Sequence, residues 1–472
     1  MNRILPLLAL VVVACTRQPD GPVTEAPQLG EAPVLTLPTV DTARLDNGLT
    51  ILTSRNAEVP MVSARLIIDG GARTAGAAPG LATFTAGMLD EGAAGKTGLE
   101  LSEAVDFLGA SLNTGAGWEN VTISTSAPKR TFEQAMGLMA DVVLRPTFAS
   151  ADVARERAAR EAALLSAKDS PGQVANRVFY RNVYPAGHPY HVDMSGDVAS
   201  TARLDSAAVR GFWTAASDPR HATLIVTGDV TAAEAKSWAQ SAFGAWQAPS
   251  SEATKTPAAD VAAAPSSATR IILVDKPGAA QSVIYIGAPG VARNTPDYAA
   301  IEVMNTILGG SFSSRLNDIL REQRGYSYGA GSNFNWNPVA GPFTASSQVR
   351  TDVTDSSLAV FFHEFNRIRD EPVDTVELMR ARNYLVLGAL GDYETAGQVG
   401  GAISSALLFG MPLQQTADDL AAMGKVTAAD VQRVAKQYLD PSKLTVVVVG
   451  DLSVIRPGIE ALGLGPIEVQ TY

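Results

Sequence analysis

The sequence is poor in the side chains that most often hold transition metals. Its 472 residues include one cysteine, Cys15, which excludes an intramolecular disulfide and a cysteine-based metal site. Histidine occurs only four times, as His188, His191, His221 and His363. None of them belongs to an H-E-x-x-H or H-x-x-E-H motif. The spacing in His188-Pro189-Tyr190-His191 is ligand-like, but the proline argues against a helix that presents both rings.

Positive charge is scarce as well. The chain carries 37 Lys and Arg against 48 Asp and Glu, a net charge of -11. A surface of this sign repels phosphate backbones, so no nucleic-acid partner is expected. With 46% hydrophobic and 18% charged residues, the sequence predicts a large globular protein with at least two cores of about 150–200 residues each.

The N-terminal residues predict export. Met1-Asn2-Arg3 precedes an apolar run over residues 4–13, which is shorter than the roughly 20 residues that span a membrane. Val12-Val13-Ala14-Cys15 resembles a bacterial lipobox, so residues 1–15 are interpreted as a lipoprotein signal peptide and Cys15 as the lipidated residue. A plain signal peptide with an incidental cysteine is the alternative. Since Thr16 is not aspartate, we expect a periplasmic protein anchored to the outer membrane of a Gram-negative bacterium.

Two low-complexity stretches divide the remainder. Residues 16–38 are rich in Pro, Gly, Thr, Glu and Ala and predict a flexible tether. Residues 248–268, rich in Ala, Pro, Ser and Thr, predict a linker between an N-terminal domain (39–247) and a C-terminal domain (269–472). The domains look like distant copies, because Leu224-Ile225-Val226-Thr227-Gly228-Asp229 near the end of the first matches Val446-Val447-Val448-Val449-Gly450-Asp451 near the end of the second.

Within each domain, strand-like runs alternate with amphipathic helices. Residues 62–68 and 282–286 have strand character, whereas residues 101–108, 152–167, 207–215 and 374–390 follow a helical period. The pattern favours an α+β fold with strands of mixed direction over a regular parallel alternation.

Several segments resemble one known family. They are Arg44-Leu45-Asp46-Asn47-Gly48-Leu49, Pro79-Gly80-Leu81-Ala82, Asp169-Ser170-Pro171, His188-Pro189-Tyr190, Leu308-Gly309-Gly310-Ser311-Phe312-Ser313-Ser314-Arg315-Leu316 and Leu320-Arg321-Glu322-Gln323-Arg324-Gly325-Tyr326-Ser327-Tyr328. In this order they resemble the pitrilysin/insulinase peptidases (M16), in particular the short bacterial branch that is similar to mitochondrial processing peptidase. The resemblance implies two homologous lobes of the LuxS/MPP-like metallohydrolase type, each a mostly antiparallel sheet with helices, enclosing a cavity.

The resemblance also implies that the zinc site is degenerate. Active members carry H-x-x-E-H on the helix after the Gly-Leu pair, with two zinc ligands and a general base. The corresponding positions here are Thr83, Ala86 and Gly87, and the third ligand position is Ala163. None of these side chains is a zinc ligand of the usual type, so this chain is expected to bind no metal. Glu156 remains as a former second-shell residue.

Two further pieces of the resemblance concern the substrate. Arg321 and Tyr328 match the family's arginine and tyrosine, whose protonated side chains hold a substrate carbonyl and stabilise an oxyanion. A shift in register would make Arg324 and Tyr326 the pair instead, and surface or packing roles are the non-functional alternative. Asn113 and Thr114 lie in a segment that resembles the substrate-pairing strand, although that strand may be purely structural.

Together these features predict a non-catalytic subunit of a heterodimeric M16 peptidase. A partner with H-x-x-E-H would hold the zinc, and Arg321 and Tyr328 would act in trans on a peptide substrate. The alternative is a catalytically inactive peptide-binding or scaffold protein. An active peptidase with a different metal site is disfavoured by the four histidines.

Overall fold

The structure, a computed structural model, describes residues 35–73, 78–249, 263 and 266–472. The predicted signal peptide with Cys15, most of the tether and most of the linker lie outside these described residues. Thr36–Tyr472 forms one compact unit. No described helix has the length and apolar composition that a membrane span requires.

The strands of the described residues form two six-stranded sheets and one small hairpin. The first sheet contains β1 (Asp41–Arg44), β2 (Thr50–Arg55), β3 (Met61–Asp69), β6 (Ser111–Ala116), β7 (Asn120–Pro128) and β8 (Ala222–Gly228). The hairpin pairs β4 (Gly92–Ala93) with β5 (Lys96–Thr97). The second sheet contains β9 (Arg270–Asp275), β10 (Gln281–Pro289), β11 (Ser327–Phe334), β12 (Pro342–Arg350), β13 (Thr445–Gly450) and β14 (Ile467–Gln470).

The two sheets share the order of five strands, which agrees with the predicted duplication, and they differ at one edge: β1 precedes β2 in the chain, whereas β14 is the last strand. From one edge they run β6-β7-β3-β8-β2-β1 and β11-β12-β10-β13-β9-β14. The only parallel neighbours in these sheets are β2 with β8, β13 with β9, and β14 with β9. The prediction of an α+β fold with mostly antiparallel sheets is therefore confirmed.

Sixteen α-helices cover these sheets within the described residues. In the first half they are α1 (Leu81–Gly87), α2 (Gly98–Phe107), α3 (Lys129–Leu144), α4 (Ser150–Ser166), α5 (Pro171–Val183), α6 (Val198–Thr201), α7 (Ser206–Ala216) and α8 (Ala232–Phe243). In the second half they are α9 (Tyr298–Asn305), α10 (Arg315–Asn317), α11 (Thr354–Asp370), α12 (Thr375–Gly388), α13 (Ala396–Leu408), α14 (Gln414–Met423), α15 (Ala428–Tyr438) and α16 (Leu452–Ala461). Thr306–Gly310 and Asp318–Gln323 are π-helical.

Local sequence explains where several helices begin. Thr97 and Glu100 form a reciprocal capping box at α2, and Thr231 with Glu234 does the same at α8. Pro171 starts α5 at a position where its missing N–H leaves no hydrogen bond unmade. The four predicted helices correspond to α2, α4, α7 and α12, with ends shifted by a few residues.

One helix of each lobe packs on the sheet of the other lobe. Helix α5, from the first half of the chain, packs against β10 and β13 of the second sheet. Its Val178 and Phe179 are buried in one apolar cluster with Val447 and Val449. In return, α13 packs against β3 and β8, where Val399 and Ile403 contact the first sheet. The lobes therefore share two apolar interfaces that join them into one unit.

We expect Phe179→Ala to destabilise the protein by about 3–5 kcal/mol, because it leaves a cavity in this interface. Phe179 is fully buried, and its ring centroid lies 5.9 Å from that of Tyr285 on β10. Phe107→Ala is the matched control, since Phe107 is 89% exposed. Urea unfolding should show a large loss for the first variant and little change for the second. Equal effects would contradict the packing of α5 on the second sheet.

Candidate functional site

The three candidate positions on α1 face different surroundings. Thr83 and Gly87 are one turn apart and share a helix face. The Thr83 hydroxyl lies within hydrogen-bonding distance of two carbonyl oxygens, those of Gly80 at 3.1 Å and Met194 at 3.0 Å. Ala86 is fully buried, whereas Gly87 is exposed with open space where a Cβ would lie. The face therefore holds one hydroxyl and no zinc donor of the usual type.

The facing surface belongs to α4 and contains an arginine that the sequence analysis did not identify. Glu156, Arg160 and Ala163 follow one another at i, i+4 and i+7, so they share a face of this helix. Arg160 Nη2 donates to Thr83 Oγ1 at 2.7 Å and to the Ser195 carbonyl at 2.8 Å. Through this guanidinium, α4, which carries the predicted third-ligand position, is connected to α1.

Acidic groups surround the outer end of this site. Burial raises the pKa of Asp90, and the nearby Glu91 and Glu156 raise it further. Arg155 forms ion pairs with Glu91 and Glu156. Glu156, which the family resemblance places beside the zinc ligands, therefore forms an ion pair with the neighbouring Arg155.

These residues do not fit a zinc ion. Zinc requires side chains that donate an electron lone pair, whereas Arg160 is a cation that donates a hydrogen bond to Thr83. Among the described residues, no group of three or more His, Cys, Asp or Glu side chains is arranged to hold a metal. No metal-dependent step can therefore be assigned to the residues of this site.

Two family models match the chain. Insulinase (peptidase family M16) matches residues 50–191, and the peptidase M16 inactive domain matches residues 203–385. The chain belongs to the M16 peptidase family. Since Thr83, Ala86 and Gly87 replace the H-x-x-E-H residues, it is an M16 member without the zinc motif.

Individual proteins of known sequence or structure align over most of the chain. An uncharacterized zinc protease of Streptomyces coelicolor is 25% identical over 411 residues, which cover 85% of this chain and 87% of that protein. A peptidase M16 inactive domain from Pseudomonas fluorescens is 27% identical with a TM-score of 0.79, covering 87% of this chain and 98% of the other. A protease from Helicobacter pylori, 17% identical, has the same fold with a TM-score of 0.80, covering 88% and 100%.

The predicted peptide-binding strand of this M16 chain is β6, which contains Asn113 and Thr114. It is the last strand of the first sheet and pairs only with β7 among the described strands. Asn113 is exposed and Thr114 is half-buried. Helix α1 packs against β6, so the free edge lies beside the degenerate zinc helix. An unpaired edge of this kind can accept an extended peptide as an added strand.

Arg321 and Tyr328 flank a short turn in the second lobe. Arg321 lies on the π-helical segment before the turn, and Tyr328 lies on β11 after it. The Arg321 guanidinium carbon is 4.5 Å from the Phe312 ring centroid, and its Nε is 3.5 Å from Glu322 Oε1. Tyr328 is 92% exposed. Both side chains reach solvent, the Arg321 side chain with 36% of its surface exposed, and both belong to the second lobe, whereas α1 belongs to the first.

The alternative pair has a different environment. Tyr326 packs against the apolar core of the second lobe, and its backbone N–H donates to the Leu320 carbonyl at 2.8 Å. The Arg324 guanidinium carbon lies 5.9 Å from the Tyr326 ring centroid. Because Tyr326 is engaged in packing, Tyr328 is the better placed of the two tyrosines to meet a substrate.

Arg315, also within the resembling segment, has a structural role that the sequence analysis missed. It is buried and forms two hydrogen bonds of 2.8 Å with the Glu377 carboxylate. Its Nη1 lies 3.8 Å from Glu364, a buried residue of α11. Arg315 therefore joins α10, α11 and α12 beneath the exposed segment.

The histidine pair near the end of α5 lies in the interface between the lobes. The His188 ring stacks on Tyr184 at a centroid distance of 4.3 Å, and its Nδ1 accepts the Tyr190 N–H at 3.0 Å. His191 Nδ1 lies 2.8 Å from the Tyr184 carbonyl oxygen. One nitrogen of each ring is thus engaged with the backbone.

We expect acid to weaken the protein through His188. Burial and the neighbouring His191 lower the pKa of His188. Below a pH of about 6.5, His188 binds a proton more readily in the unfolded chain than in the folded chain. The free energy of unfolding therefore falls as the pH falls. His188→Asn keeps an acceptor for the Tyr190 N–H without titrating, and should lose less stability between about pH 7.5 and about pH 5.

Urea unfolding at the two pH values measures this difference. His363→Asn is the matched control, because it removes an imidazole of α11 whose side chain is 72% exposed. The same pH dependence in the wild type and in His188→Asn would contradict the assignment.

Proposed function

We propose that this chain is the non-catalytic subunit of a heterodimeric M16 zinc metallopeptidase. A partner subunit with H-x-x-E-H holds the zinc, and this chain supplies Arg321 and Tyr328 to the peptide bound there. A guanidinium and a phenol are both hydrogen-bond donors, so they can donate to a substrate carbonyl and to the oxyanion that develops from it.

The observation that carries this proposal is the contrast between the two lobes. In the first lobe, the zinc positions hold Thr83, Ala86, Gly87 and Ala163, and a guanidinium binds the one hydroxyl among them. In the second lobe, Tyr328 is 92% exposed and the Arg321 side chain is 36% exposed. The first lobe lacks zinc ligands at the family's positions, and the second lobe presents two hydrogen-bond donors to solvent. This combination fits a subunit that contributes donors to an active site whose zinc is held by its partner.

The substrate class follows from the edge strand. One backbone edge of β6, beside α1, is paired with no other strand of the described residues, and strand addition requires an extended segment. Peptides and small unfolded proteins meet this requirement, whereas folded domains do not. Asn113 is the exposed side chain on this strand that we assign to substrate binding.

The proposed setting is the periplasm. It rests on the signal-like residues 1–15 and on Cys15 as a lipid attachment site. A lipid on Cys15 would hold the folded body near the outer membrane through the tether of residues 16–38.

We predict that Arg321→Ala or Tyr328→Phe in the reconstituted pair lowers kcat by about 10²–10³-fold, since each removes one oxyanion donor. Arg324→Ala is the matched control for the first variant and Tyr326→Phe for the second, and both should retain most of the activity. Peptide hydrolysis by the pair, at constant zinc content, is the measurement. Unchanged activity in Arg321→Ala and Tyr328→Phe would remove the role assigned to them.

The second candidate function is a catalytically inactive peptide-binding or scaffold protein. The observation in its favour is a set of large apolar side chains in solvent, with Leu99 71%, Phe107 89% and Phe312 68% exposed. Contiguous apolar side chains in solvent mark protein-binding surfaces, and Leu99 and Phe107 lie on the same helix, α2. Co-purification separates the two functions: the subunit requires a partner with H-x-x-E-H, and the scaffold does not.

A further inference from the structure

The position of Arg160 on α4 places it in the middle of the former metal site. Glu156 and Ala163 are the second-shell and third-ligand positions, and Arg160 lies on the same helix face between them. Its Nη2 is 2.7 Å from the side-chain oxygen of Thr83, the first-ligand position. The guanidinium therefore reaches the first-ligand side chain from the helix that carries the third.

Arg160 joins three segments by its hydrogen bonds. From α4 it donates to Thr83 on α1, and Nε and Nη2 both donate to the Ser195 carbonyl, at 3.2 and 2.8 Å. Its guanidinium carbon also lies 5.5 Å from the centroid of the Phe84 ring. A metal ion in such a site would join α1 and α4 in a comparable way, through ligands from each.

The acceptor loop is itself fixed. The Ser195 N–H donates to Asp193 Oδ1 at 2.7 Å, and the other Asp193 oxygen accepts from Arg177 Nε at 2.9 Å. Arg177 lies on α5, the helix that packs on the second lobe. The Ser195 carbonyl is thus held in place by contacts outside the zinc positions, and Arg160 meets a preformed acceptor.

We propose that Arg160 is a positioning residue that replaces the metal ion: it joins α1, α4 and the loop at Ser195, and it excludes a cation from the site. Two physical reasons support this assignment. Its donors meet a hydroxyl and a carbonyl at hydrogen-bond distance, and its positive charge repels a second cation at the same place. Loss of the zinc ligands and presence of Arg160 are then two parts of one replacement.

Restoring the ligands alone should therefore fail to restore metal binding. The first variant carries Thr83→His, Ala86→Glu, Gly87→His and Ala163→Glu with Arg160 retained. The second adds Arg160→Ala. The third adds Arg157→Ala instead. Arg157 lies on the same helix as Arg160, and its guanidinium donates a hydrogen bond to the Leu204 carbonyl. Zinc affinity, measured by titration calorimetry on the full chain, should be at least about tenfold higher in the second variant than in the other two.

The native ligand background provides a second measurement. Arg160→Ala and Thr83→Val should each lower the Tm, and the double variant should lower it by less than the sum, since both remove the same bond. We expect a loss of about 2–4 °C for Arg160→Ala. Equal zinc affinity in the three restored variants, absence of zinc binding in all of them, or additive Tm losses would each overturn the proposal.

Discussion

One helix of each lobe packs on the sheet of the other lobe, and these two apolar contacts join the lobes into one unit. α5 leaves the first lobe and buries Phe179 among strands of the second sheet, while α13 crosses in the opposite direction. Apolar burial is the main force that stabilises such contacts. Because α5 follows α4 and precedes the loop at Ser195, its anchoring also fixes the segments that hold Arg160 against Thr83. The architecture of the degenerate site thus begins at the interface between the lobes.

The two lobes share the order of five strands but differ in the chemistry of their side chains. In the first, one hydroxyl (Thr83) and three residues without side-chain donors occupy the positions where the family places metal ligands and a base, and Arg160 donates a hydrogen bond to the hydroxyl. In the second, Arg315 is buried with Glu377 and Glu364, and this ion-pair cluster supports a segment that presents Arg321 and Tyr328 to solvent. A metal site needs several donors at fixed distances, so a few substitutions abolish it. Hydrogen-bond donors act singly and survive such changes.

The sequence alone predicted the fold class and the duplication, because these depend on period and on repeated segments. The empty zinc positions were implied by the resemblance to M16 peptidases. It did not predict Arg160, since an arginine on a charged helix gives no local signal and its partners at Thr83 and Ser195 are distant in sequence. Arg315 was missed for the same reason: its burial is decided by α11 and α12. The packing of α5 and α13 on the opposite lobes was also not predicted. The amphipathic pattern of a helix shows which face is buried but not which sheet covers that face.

We propose that this chain is an M16 subunit without its own metal and that peptide hydrolysis requires zinc held by a partner. Zinc analysis of the purified native chain, after exposure to excess zinc and removal of unbound ions, is the decisive measurement. We expect no stoichiometric zinc in the chain alone, and zinc at one equivalent only in its complex with a partner. One tightly bound zinc per isolated chain, removable by a chelator together with peptide hydrolysis, would contradict it.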